Sequence, residues 1–235
     1  MEILYSTNEF HIYRDKKTPS LFKIVNKNNH NCSSLFYSII KSRIANSATI
    51  VTNSNNNNSS LIIKTISIKK MDQYIEEQKK INNTYRLPYK IILNIVVCLS
   101  KQLSYLLENE TSCFYTFNPD NILVIDDCKF LYLSNEELKE VKNNNLYIYS
   151  PIKKNVGWLS PELQNVSSVP IITSYKTIFY SLGLFILNCL LDEPTDQHLE
   201  NIVLDNVVSI KGTKLYYFLE RCLHNDPNKR FLIYL

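Results

Sequence analysis

The sequence predicts an α+β protein of two lobes around a cleft: a β-rich N-terminal lobe over residues 1–70 and a mainly α-helical C-terminal lobe over residues 71–235, together forming one domain. Three observations lead there. The first 70 residues read as short strands interrupted by one helical stretch. Pro88–Asn109 is apolar at helical spacing, and Ile178–Leu191 is an apolar run interrupted by a few polar residues. Between these two helices, Asn121–Ile125 and Cys128–Leu133 are β-branched and aliphatic runs joined by the polar pair Asp126-Asp127, which reads as a tight hairpin.

Taken in order, Glu2–Ser6, Glu9–Arg14 and Ser20–Asn26 are three strands. Thr7-Asn8 and Asp15–Pro19 supply the turn chemistry between them. Cys32–Arg43 places Leu35, Phe36, Ile39 and Ile40 on one face of a short helix. Ala48–Thr52 and Leu61–Ile66 are two further strands, with the Asn-rich tract Asn53–Ser60 as a mobile loop between them. Ile68–Asp72 reads as a hinge and Gln73–Lys80 as a polar, solvated helix. Along Pro88–Asn109 the positions Ile92, Ile95, Val96, Leu99, Leu103, Leu106 and Leu107 recur at three and four, one stripe of a long helix. Ser134-Asn135-Glu136-Glu137 has the form of a capping box and predicts a short helix to about Val141. Asn143–Val156 then reads as an irregular loop. Ile178–Leu191 is a buried helix in which Gly183 admits close packing. Asp192–Ile210 is a connection with some helix, and Thr213–Leu223 is amphipathic.

Composition narrows the class. A chain of 235 residues with 45% hydrophobic and 20% charged residues buries a good core and is not disordered. The net charge of +4 comes from lysines scattered singly or in pairs, so no basic block favours nucleic acid. The six cysteines, at 32, 98, 113, 128, 189 and 222, form no C-x-x-C pair and no Cys/His cluster. They read as free thiols without zinc or disulfides, in an intracellular and cytoplasmic setting. No signal-peptide pattern opens the sequence, and the apolar run Ile178–Leu191 is too short to span a bilayer. Heavy use of Asn, Ile, Lys and Tyr fits an AT-rich genome, such as that of a large DNA virus or an intracellular parasite.

The stretch Asn118-Pro119-Asp120-Asn121-Ile122-Leu123-Val124, the hairpin after it and Gly157-Trp158-Leu159-Ser160-Pro161-Glu162 resemble the catalytic half of a eukaryotic-type protein kinase. That family reads H-R-D-x-x-x-x-N, a hairpin, D-F-G and A-P-E. Tyr180-Ser181-Leu182-Gly183 resembles its W-S-x-G helix start, and Asn225-Asp226-Pro227-Asn228-Lys229-Arg230 matches its D-P-x-x-R. The resemblance implies a bilobal protein-kinase-like fold with a reduced N-terminal lobe.

It also shows what is missing. Phosphoryl transfer in the family rests on a glycine-rich loop, a lysine held by a helix glutamate, a base-like aspartate, and an Asp and Asn on magnesium. The first of only three glycines is Gly157, and the first hairpin turn, Tyr5–Glu9, carries side chains, with Glu9 set to repel phosphate. Lys23 falls at the phosphate-pairing lysine position, but the helix that would hold it has no acidic residue. Thr116 stands at the catalytic aspartate position and Tyr132 at the magnesium aspartate position, while Asn121 is retained. A hydroxyl and a neutral phenol are poor substitutes for carboxylates. The family's helix aspartate that anchors the catalytic loop is Ile178, which implies a shifted loop. Glu162 and Arg230 remain where the family has a buried ion pair.

The expectation is therefore a pseudokinase: a kinase-like, catalytically inactive protein that binds another protein in a regulatory role, with no cofactor and no Mg-ATP binding. Tyr147, Tyr149 and Trp158, in and beside the predicted loop, are the candidate interaction residues. The alternatives are a divergent active serine/threonine-type kinase, in which Asp120 or Asp127 supplies the carboxylates, and a basic nucleic-acid-associated module.

Overall fold

The structure is a computed structural model that describes residues 1–28, 31–44, 47–53, 58–152, 158–191 and 210–233. The fold is α+β, with six helices and three antiparallel sheets among the described residues. Strands β1 (Glu2–Ser6), β2 (Phe10–Arg14), β3 (Leu21–Asn26), β4 (Ala48–Asn53) and β5 (Asn58–Lys64) form one sheet in the order β1-β2-β3-β5-β4. Alternation sends Phe10, Ile12, Phe22, Ile24, Leu61 and Ile63 to one face, where all are buried. Helix α1 (Ser33–Lys41) covers that face with Leu35, Phe36 and Ile39, and Phe36 meets Phe10 at 6.2 Å between ring centroids. Each such side chain stabilises by about 1.5–3 kcal/mol on burial. The expected loop Asn53–Ser60 is shorter than the sequence suggested. Val51 to Asn53 pair with Ser60 to Asn58, because the hairpin continues through the polar residues.

The expected hinge at Ile68–Asp72 is regular structure instead. Ile68–Lys70 is strand β6, paired with β8 (Ile122–Ile125), and helix α2 (Met71–Asn82) starts directly after it. The joint is Thr65–Ser67, whose Ile66 and Ser67 N–H groups donate to Asp126 Oδ1 at 2.9 and 3.1 Å. Helix α2 is not wholly solvated either: Tyr74 is buried edge-on against Phe130 at 5.8 Å. Helix α3 (Tyr89–Asn109) buries the predicted stripe apart from half-buried Leu107. By length and composition alone it could cross a membrane, yet it packs on α1, on β7 (Ser112–Phe114) and on β9 (Lys129–Tyr132).

The capping-box expectation over Ser134–Glu137 fails. Leu138–Lys142 is strand β10 and Asn145–Ile148 is strand β11, joined by Asn143 and Asn144 at φ 50° and 64°. Two left-handed residues give the two-residue hairpin turn whose twist suits flanking strands, and asparagine tolerates it well. With β7 and β12 (Ile171–Ser174) they build a sheet of order β12-β11-β10-β7, so Asn145–Ile148 of the expected loop 143–156 is strand. Helix α4 (Pro161–Gln164) leads on, and α5 (Thr177–Cys189) is buried nearly all round. On α6 (Lys214–Cys222) and just beyond, Cys222 Cβ and Leu223 Cδ2 lie 2.9 Å from where a Cβ on Gly183 would sit, so this contact needs glycine. The expected helix within Asp192–Ile210 lies almost wholly outside the described residues. All six cysteines are free.

Candidate functional site

The predicted positions around Asn118–Leu133 come together, but mostly as packed structure. Pro119–Asn121 is one turn of 3-10 helix, capped by Asn118, whose side chain accepts from Asp120 N at 3.0 Å. That turn delivers the chain into β8. Tyr132, the last residue of β9, is fully buried between Phe114 and Phe117, at 4.8 and 4.7 Å. Its hydroxyl donates to Glu137 and accepts from the Asn118 N–H at 2.8 Å. Its backbone is held from α3: Gln102 Oε1 accepts from Tyr132 N and Gln102 Nε2 donates to Tyr132 O, both at 2.9 Å. Thr116 is equally buried, 3.3 Å from the Trp158 carbonyl and from Ser181 Oγ. Asn121 is buried, with Nδ2 3.5 Å from Glu137.

The buried Ile178 makes no polar contact with this loop. The loop is anchored one helical turn later, where Ser181 Oγ accepts from Phe117 N at 2.8 Å. One hydroxyl suffices here because a single N–H needs only one acceptor.

Lys23 does not reach the site. It lies on the face of the first sheet opposite the buried Phe22 and Ile24, between Tyr13 and Ile62. Strand parity decides this, since its neighbours in sequence face the core. Among the described residues, the candidate interaction stretch is a loop only from Tyr149 onward. Tyr147 lies within β11, half-buried, and its ring stacks on Tyr149 at 6.4 Å. Trp158 stacks on Phe185 at 5.5 Å and contributes to the core. Only Tyr149 is well exposed, at 66%. Glu162 and Arg230 do pair: Nη1–Oε1 is 2.5 Å and Nη2–Oε2 is 3.0 Å.

Beside Asn118 and Asn121 a cavity of about 340 Å³ opens, bordered by Glu9, Glu137, Lys139 and Tyr115. Sequence reading assigned Glu9 only a repulsive part and Glu137 only a capping part. Glu9 is buried, and its carboxylate accepts from Ser134 Oγ at 2.5 Å and from the Asn135 and Glu136 N–H groups at 2.8 and 2.9 Å. The one legible signal for Gln102 is a polar residue beside the apolar stripe Leu99, Leu103, Leu106. For Glu9 no local pattern exists, since its donors lie more than 120 residues away along the chain.

Burial pushes the Glu137 carboxyl up to about 7, and the nearby Glu9 adds to this, against the lowering effect of hydrogen bonds from Tyr132 and Ser134. A carboxyl whose folded value exceeds its ordinary 4.5 binds its proton more tightly in the native state. Stability is then favoured below pH 4.5 and lost as pH rises toward 7, by on the order of 3 kcal/mol. Glu137→Gln keeps an acceptor for Tyr132 without the charge. It is expected to raise the melting temperature at pH 8 and to flatten its dependence between pH 5 and 8. An unchanged slope in thermal melts across that range would assign the titration to another group.

Comparison with models of known protein families and with curated proteins found no match to this sequence.

Proposed function

We propose that the protein is a pseudokinase: a bilobal, kinase-like scaffold that binds another protein and does not transfer phosphate. One observation carries the reading. Thr116 and Tyr132, standing where the sequence resemblance calls for carboxylates, are fully buried and engaged with protein groups on every polar side. Neither presents an oxygen to a metal or a substrate hydroxyl. Among the described residues no cluster of His, Cys, Asp and Glu is arranged to hold a metal ion.

The order of elements supports the scaffold part of the reading: five antiparallel strands with one helix, then a joint, then the long α3, a buried loop and hairpin, and the deeply buried α5. The Glu162–Arg230 pair supports it too. No observation favours the active-kinase alternative. Asp127 is paired with Lys69 at 2.9 Å, and Asp120 shares its cavity with both Asp72 and Lys70. For a partner, the outer face of the last sheet offers Tyr149 and Ile172, 66% and 58% exposed, beside the half-buried Tyr147.

Mg-ATP at millimolar concentration is expected to leave the melting temperature unchanged, since ligand binding to the native state must raise it. A magnesium-dependent rise would overturn the reading. A small rise with ATP that magnesium does not alter would leave the phosphate and metal sites absent, as proposed.

A further inference from the structure

The Glu9 carboxylate sits in a socket that belongs to a different part of the fold. The socket has three donors: the Ser134 hydroxyl and the backbone N–H groups of Asn135 and Glu136. Successive backbone N–H groups that converge in this way make an anion-binding concavity. Ser134 is fully buried and Glu9 is 4% exposed, so the contact is desolvated. The donor side is stiff, because Ser134 comes just after Leu133, whose N–H donates to Asn121 O at 2.8 Å past the end of β9, and the Ser134 Oγ also accepts from the Glu137 N–H at 3.3 Å. The acceptor side is a turn between β1 and β2. That turn is tied down by the Lys27 ammonium on the Thr7 carbonyl and by Lys27 N donating to Glu9 O at 2.8 Å. The cavity bordered by Glu9 and Ser134 is also bordered by Lys139, a half-buried ammonium over the Tyr115 ring with no carboxylate in salt-bridge reach among the described residues.

We infer that Ser134–Glu136 is a carboxylate-binding site and that Glu9 is its internal ligand, a latch between the first sheet and the hairpin segment. An external carboxylate that takes the same three donors displaces the β1–β2 turn and opens the cavity. The inference stands on these contacts and does not need the pseudokinase reading. Other charges face the socket. Glu137 and Glu136 oppose a second negative charge, while Lys139 favours one, so the site suits a single carboxylate better than a polyanion.

The test is chemical rescue of Glu9→Ala in the full chain, with formate as the probe. The substitution empties the socket and is expected to lower the melting temperature by roughly 5–10 °C, as loss of a buried charged acceptor does in a chain of this size. Formate is expected to restore most of this loss with saturation, while sodium chloride at equal ionic strength is not. Formate and chloride acting alike would overturn the proposal. Glu9→Gln, which keeps the shape, provides the second measurement by hydrogen exchange. The Asn135 and Glu136 amides are expected to exchange at least tenfold faster than in the parent protein, with the β8–β9 amides unchanged. Uniform acceleration across the chain, or none at these two amides, would overturn it as well.

Discussion

Tyr132→Ala is expected to cost about 3–5 kcal/mol of stability, the usual range for deleting a buried aromatic ring. Two effects combine. The ring packs edge-on against Phe114 and Phe117, themselves 6.1 Å apart, and neither moves freely into its space, because β7 pairing holds Phe114 and the Ser181 hydroxyl holds the Phe117 N–H. The hydroxyl also serves two buried groups, the Glu137 carboxylate and the Asn118 N–H, and both are stranded when it goes. Tyr132→Phe separates the effects, since it keeps the ring and should cost roughly 1–3 kcal/mol. Tyr132→Asp should be no better tolerated than alanine, because it sets a second carboxylate beside Glu137 in a buried site. Chemical denaturation of the three variants checks this. An aspartate variant as stable as the parent would mean that the site accepts a carboxylate, contrary to the packing described above.

Arg230→Leu is expected to have an effect of similar size. Arg230 is fully buried and uses its whole guanidinium: two bonds to Glu162, Nε to the His224 carbonyl at 2.6 Å, Nη2 to the Asn225 carbonyl at 3.1 Å, and its face 4.8 Å from the Tyr180 ring. Leucine fills part of the volume and leaves two carbonyls and one carboxylate without donors. Breaking a buried pair typically costs 3–5 kcal/mol. Here Glu162 keeps some solvent, with its side chain 20% exposed, so about 3 kcal/mol is the expected loss. Lys16→Ala is the control. Its only ion pair among the described residues, to Glu2 at 3.9 Å, is on the open surface, and the melting temperature of this variant should not move. Equal small shifts for both substitutions would show that the pair braces nothing.

What could be read from sequence was what depends on near neighbours. The strands of the first sheet, α1, α3, α5 and α6 follow from hydrophobic periods, and the β8–β9 hairpin follows from Asp126-Asp127 between two aliphatic runs. The error at Ser134–Val141 came from reading Ser134 and Glu137 as a local pair. The Ser134 hydroxyl does accept from Glu137 N, but the two side chains are bound mainly elsewhere, to Glu9 and to Tyr132. The Asn143-Asn144 turn outweighs the helical reading, because β10 gains partners on both edges. Lys23 failed for a simpler reason: position in a motif does not determine which face of a strand a residue occupies. The candidate site was half legible. Asn118, Asn121 and Tyr132 could be named in advance, while Glu9 reaches its donors at Ser134–Glu136 only once the two ends of a long loop are closed.

Closure of that kind bears on how the chain assembles as it is synthesised. Every strand of the first sheet, and the helix that covers it, lies within residues 1–64, so this unit has all its hydrogen-bonding partners early. Domains form as units during synthesis where their contacts are local. One of its surfaces must nonetheless wait. The flank of α1 that carries Ser38 meets α3 and Gln102, in a segment made later. The nascent unit therefore carries an open flank until α3 has emerged, at residue 109. That interval, and not the finished protein, is when the chain is most exposed to aggregation.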